Sequence, residues 1–154
     1  MASIHSVDKG KITEAFASDG YVILKDFFSQ SVLEGVQKEL ERLVDIRANK
    51  LISDGKISDS LSDVPFDTRI ALLYEGLMDE APTSFRPELH GSLLFDLFFN
   101  PRLLDVIQFF LGDEVRLYPN YTSRPKFPDW EGTLVLWHQD GGYTAQEAEG
   151  VEDG

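Results

Sequence analysis

Apolar positions recur along this chain with two different periods, and the change from one to the other divides it. From about Asp8 to Ser18, Ile12, Ala15 and Phe16 share one face, and Gly20 offers a left-handed stop, so a short helix is predicted there. Tyr21-Val22-Ile23-Leu24 is a run of strand formers bounded by Gly20 and Lys25-Asp26, and predicts a short strand. Ser29 then precedes the strongest helical pattern. Val32, Leu33, Val36, Leu40, Leu43 and Val44 recur at three- and four-residue spacing, with Lys38, Glu39, Glu41 and Arg42 between them. Residues from Ser53 to Phe66 are rich in Asp, Ser and Gly and read as an exposed loop, followed by a weaker helical pattern from Thr68 to Met78. Glu88 to Phe99 predicts a second apolar helix, and Asn100-Pro101 an N-cap and first position for the next, which ends near Gly112. After Gly112 the period falls to two: Val115, Leu117 and Tyr121 alternate with polar neighbours, and Thr133-Leu134-Val135-Leu136-Trp137 predicts a strand. Helices first and strands last predict an α+β fold, with helices flanking a sheet that is only beginning where the sequence stops.

Length and composition narrow this picture. A chain of 154 residues without repeats or linkers reads as one domain over 1–154, and 42% hydrophobic against 27% charged residues excludes a disordered or fibrous chain. The formal charge of −13 opposes binding to phosphate backbones and anionic lipid, so no nucleic acid and no membrane are expected as partners. The start of the chain shows no targeting signal and no apolar run reaches spanning length, so a soluble cytoplasmic protein is expected. The absence of cysteine removes disulfide scaffolds, thiolate metal sites and thiol nucleophiles together. Residues 129–154 carry seven acidic residues and no Lys or Arg, and 145–154 reads as an acidic loop or tail.

The candidate chemistry lies in Trp137-His138-Gln139-Asp140-Gly141-Gly142-Tyr143. Residues two apart on a strand share a face, so His138 and Asp140 can present an imidazole nitrogen and a carboxylate oxygen to one metal ion. Such a pair forms two-thirds of the 2-His-1-carboxylate triad of non-haem Fe(II) oxygenases, and the two glycines let the backbone turn away behind it. Spacing by itself equally admits a His and an Asp at a strand end, hydrogen-bonded to nearby backbone. Trp137 reads as core or pocket wall.

The surroundings weigh on that choice. Lys126-Phe127-Pro128-Asp129 followed by Trp137-His138-Gln139-Asp140 and Tyr143 resembles the phytanoyl-CoA dioxygenase family of Fe(II)- and 2-oxoglutarate-dependent oxygenases. The opening Phe16-Ala17-Ser18-Asp19-Gly20-Tyr21-Val22-Ile23-Leu24-Lys25-Asp26-Phe27-Phe28 and the segment Phe109-Phe110-Leu111-Gly112 are similar to the same family, in the same order. The resemblance implies a fold of N-terminal helices packed on the first strands of a double-stranded β-helix, or jelly roll, with the sheet incomplete. It also implies Fe(II) at His138 and Asp140, 2-oxoglutarate as cosubstrate with Lys126 near its carboxylate, and oxidation of a small organic substrate. Tyr118, Asn120 and Tyr121 would stand near the pocket.

The family's second histidine ligand and its 2-oxoglutarate arginine lie downstream of the His-x-Asp. Here the 14 residues after Asp140 contain neither His nor Arg. His5 belongs to the N-terminus, and His90 reads as a helix-terminal or core histidine. The resemblance therefore covers the N-terminal half of an oxygenase, and the chain by itself is expected to bind iron poorly and to be nearly inactive. The alternative is a non-catalytic interaction module derived from the same fold, self-associating or pairing with another chain through the open sheet.

Overall fold

A computed structural model describes residues 8–118 and 121–138. The described residues run through five helices, α1 (Lys9–Asp19), α2 (Gln30–Ser53), α3 (Phe66–Leu73), α4 (Ser92–Phe98) and α5 (Pro101–Leu111), with single 3-10 turns at Met78–Glu80 and Pro87–Leu89. None of these helices is long and apolar enough to cross a membrane.

The helix ends follow the local chemistry. Asp8 caps α1 through a bond from the Lys11 amide at 3.2 Å, and Gly20 ends it with φ 78, a conformation that glycine adopts without steric cost. Asn100 Oδ1 accepts from the Arg102 amide at 3.0 Å, with Pro101 in the first turn of α5. Asn100→Ala removes that acceptor and is expected to lower stability by about 1 kcal/mol, read as a shift of the urea midpoint. Ser29 stands at the N-cap of α2, but its hydroxyl meets that of Ser31 at 3.0 Å and makes no capping bond.

With 24 residues, α2 is about 36 Å long and serves as the spine. Val44, Ala48 and Leu51 pack with Leu73 and Tyr74 at the end of α3, whereas Leu43 packs with Phe85, Leu89 and Leu94 around α4. A third cluster joins α1 to α5 through Ile12, Phe27 and Val106. The helix continues nine residues past Val44, the last position of the sequence pattern, because Ala48 and Leu51 extend the same buried stripe. Arg69 ties the polar loop after α2 to the spine: its guanidinium is buried, meets Asp45 at 2.7 Å and donates twice to the Ser60 carbonyl, at 3.1 and 2.9 Å.

The helix predicted over Glu88–Phe99 is broken at His90-Gly91. The buried Glu39 carboxylate, bonded to Arg42 at 2.6 Å, lies so close that a Cβ on Gly91 would come within 2.6 Å of its Oε1. An extended glycine at this point lets α4 restart beside α2. Next to it, the backbone N–H groups of Glu88 itself and of Arg86 hold the Glu88 carboxyl below the usual carboxylate range, and Arg47 reaches it at 3.1 Å.

No sheet forms among the described residues. Among the described residues β pairing is confined to one antiparallel bridge, Phe85 with Ser123, with N–O distances of 2.8 and 3.0 Å. Tyr21–Leu24, Val115–Leu117 and Thr133–Trp137, all read as strands, have no ladder partner among the described residues. The expected α+β fold, with helices on the first strands of a jelly roll, is therefore replaced by a helical body carrying irregular extended segments. β-branched and aromatic composition favours a pleated surface but creates a strand only where a neighbouring backbone accepts its hydrogen bonds.

Candidate functional site

The segment from Tyr121 to His138 is laid over the helical body and fastened at successive points. Tyr121 packs at a tilt on Phe98 at 4.6 Å, lies edge-on to His90 at 6.0 Å, and its hydroxyl donates to the Leu89 carbonyl at 3.4 Å. The Thr122 hydroxyl donates to the Phe85 carbonyl at 2.9 Å, beside the Ser123 bridge. Phe127 is buried in the cluster of α2 and α3, edge-on to Tyr74 at 6.1 Å and to Trp130 at 5.2 Å. The same apolar surroundings push the Tyr74 phenol above its ordinary pKa.

Between Pro125 and Thr133 the chain closes on itself. The Lys126 ammonium donates to the Thr133 carbonyl, and the buried Thr133 hydroxyl donates to the Pro125 carbonyl at 3.0 Å. Leu134 N–H reaches the Glu131 carbonyl at 2.8 Å, and Asp129 takes the left-handed conformation, φ 52, at the turn. Gly132 sits flat on the Trp130 ring, where a Cβ would come within 2.1 Å of the indole. Gly132→Ala is therefore expected to displace Trp130 from Phe127, seen as a red shift of indole emission.

An arm leaves this loop. Leu134 is 64% exposed, Leu136 76% and Trp137 fully so, and the chain bends at Trp137. Trp137, read as core or pocket wall, is thus placed in solvent. At its end the His138 Nδ1 lies 2.7 Å from the Leu136 carbonyl. A carbonyl only accepts, so Nδ1 carries the proton and, in the neutral ring, Nε2 carries the lone pair. That is the tautomer a metal-binding histidine needs, with the other ring nitrogen oriented by a backbone carbonyl.

Of the sequence-derived site residues, the structure puts Lys126 at the root of the arm and His138 at its tip. Asp140 lies outside the described residues, as do Asn120 and the 145–154 segment. Among the described residues no three His, Asp or Glu side chains converge as a metal site. Tyr118 is exposed, while Tyr121 is packed into the body. A cleft of about 520 Å³, lined by Val22, Leu24, Asp26, Phe27, Leu33 and Leu103 among others, shares no residue with the loop or the arm. Sequence reading missed Phe127, Trp130, Gly132 and Thr133 as the builders of the closed loop; the prolines flanking the Phe127 segment were its one local signal.

Comparison with known proteins finds a relative among the dioxygenases. The chain is 29% identical over 126 residues to the ectoine dioxygenase of Sphingopyxis alaskensis, an alignment covering 82% of this chain and 35% of that enzyme. It thus spans about a third of the length of the curated relative it matches. No family model matches the chain, and no solved structure does. By sequence, the protein described here is similar to a dioxygenase over most of its length.

Proposed function

We propose that this chain contributes the metal-ligand pair His138 and Asp140 of an Fe(II)- and 2-oxoglutarate-dependent dioxygenase that oxidises a small organic molecule. The observation that carries the reading is the His138 imidazole at the tip of the arm, whose Nδ1–H is oriented by the Leu136 carbonyl as in a metal-binding histidine. The similarity to ectoine dioxygenase and the His-Gln-Asp motif support it. An imidazole nitrogen and a carboxylate are fitting donors for Fe(II), which when bound activates O₂ while 2-oxoglutarate is decarboxylated. The chain's own part is to hold the His138 ring in one tautomer and to present it on an arm rooted in the packed loop. The glycines at 141 and 142 allow the backbone to turn directly after the second ligand.

Co(II), which tolerates air, tests the reading without turnover. Added to the ¹⁵N-labelled chain, it is expected to broaden amide signals confined to about residues 134–143, and His138→Ala and Asp140→Ala are each expected to abolish the effect. Broadening centred elsewhere, or surviving both substitutions, would refute the assignment.

The run Leu134–Trp137 favours a second reading, an interaction module that uses the arm as an adhesive surface. A contiguous exposed apolar segment invites association. If this is its role, sedimentation shows concentration-dependent oligomers that Leu136→Lys disperses, and the double substitution at His138 and Asp140 leaves them intact.

A further inference from the structure

We infer that Lys126 is a positioning residue, whose ammonium clamps the Thr133 carbonyl and so sets the direction in which the His138 arm leaves the body. The inference rests on the dioxygenase reading for what the arm carries, but the clamp itself is a matter of the loop. Three features converge on it. Thr133 is buried and gripped from both sides, its carbonyl by Lys126 and its hydroxyl by Pro125. The neighbour of Lys126, Phe127, is anchored in the core against Tyr74, so the lysine backbone is a fixed post. The far side of the loop is wedged by Trp130 between Phe127 and Gly132.

Leverage gives the clamp its importance. Five residues from Leu134 to His138 extend at most about 16 Å at roughly 3.3 Å each, so a rotation of about 10° at Thr133 moves the tip by about 3 Å. Metal ligation tolerates a few tenths of an ångström. A cation donating to a carbonyl makes a stronger bond than a neutral donor does, which suits a fixed hinge post. This role differs from that of a lysine contacting a cosubstrate carboxylate, because it acts on the metal ligand and requires Thr133.

The test uses the full chain carrying Trp137→Phe, so that Trp130 is the sole indole, with Lys126→Met, Lys126→Arg and Thr133→Val added singly. If Lys126 is the clamp, Lys126→Met speeds amide exchange at 131–138 at least tenfold and red-shifts Trp130, while far-UV circular dichroism holds. Co(II) affinity falls about tenfold, the range seen when a ligand-orienting partner is lost. Thr133→Val shifts the same observables in the same direction, and Lys126→Arg, which still donates to a carbonyl, restores them. Unchanged exchange and emission in Lys126→Met would overturn the clamp. So would an opened loop with unaltered Co(II) affinity, or a loss confined to 2-oxoglutarate binding. Should the parent chain, which supplies only two ligands, bind Co(II) too weakly to titrate, the metal-free exchange and emission data still decide the clamp.

Discussion

Truncation of Phe127 to alanine is expected to cost about 3–5 kcal/mol, the range for deleting a buried aromatic ring. The ring is 6% exposed, lies edge-on to Tyr74 and Trp130, and belongs to the cluster with Val44, Ala48, Leu51 and Leu73. Domains of this size are stable by about 5–15 kcal/mol, so one substitution in the loop removes a large part of the total. Urea unfolding followed by circular dichroism measures it, with a midpoint about 2 M lower than that of the parent for an ordinary slope. Phe127→Leu, which refills much of the cavity, is expected to recover at least half of the loss. A cost below about 1 kcal/mol for the alanine variant would mean that the loop does not share the core of the helices.

Arg69→Ala is expected to cost about 2–3 kcal/mol through a different cause. The guanidinium is buried and supplies both donors to the Ser60 carbonyl, which loses them together. Its acidic partner Asp45 is half exposed and returns to water when the arginine is removed, so the cost stays below that of stranding a buried charge. Two observables separate the contributions. Asp45→Asn keeps an oxygen acceptor beside the guanidinium, whose two bonds to Ser60 persist, and is expected to change stability by less than about 1 kcal/mol. Amide exchange over residues 54–65 should accelerate in Arg69→Ala but not in Asp45→Asn. Equal losses in the two variants would mean that the ion pair contributes more than the carbonyl bonds do.

Helix ends were the most legible part of the fold, because capping is local chemistry. Asp8, Gly20, Asn100-Pro101 and Gly112 all mark boundaries where their side chains or backbone freedom place them. The break at Gly91 was not legible, since its cause is a carboxylate on another helix, Glu39. The strands were misread for a related reason: Tyr21–Leu24 and Thr133–Trp137 have strand composition, but pairing depends on a second segment that composition does not describe. At the candidate site the donor types were visible in His138-Gln139-Asp140, whereas the support beneath them was hidden. Lys126-Phe127-Pro128-Asp129 stands out only by its family resemblance, yet it places a core phenylalanine and a lysine bonded to Thr133.

The order of elements along α2 bears on the timing of assembly. Apart from Tyr121, Phe127 and Trp130, the clusters on the spine draw on residues no later than Phe98, and α5 closes on α1 shortly after. The helical body is thus complete in sequence before the Tyr121–Thr133 segment begins. Tyr121, Ser123 and Phe127 must then travel back across a long stretch of chain to find their partners, and contacts of that kind form late. On the ribosome, where the N-terminal part emerges first, the helices have nearly their full complement while the loop is still being made. The root of the arm bearing His138 is then fixed after the helices, by docking of the Tyr121–Thr133 segment onto a surface that already exists.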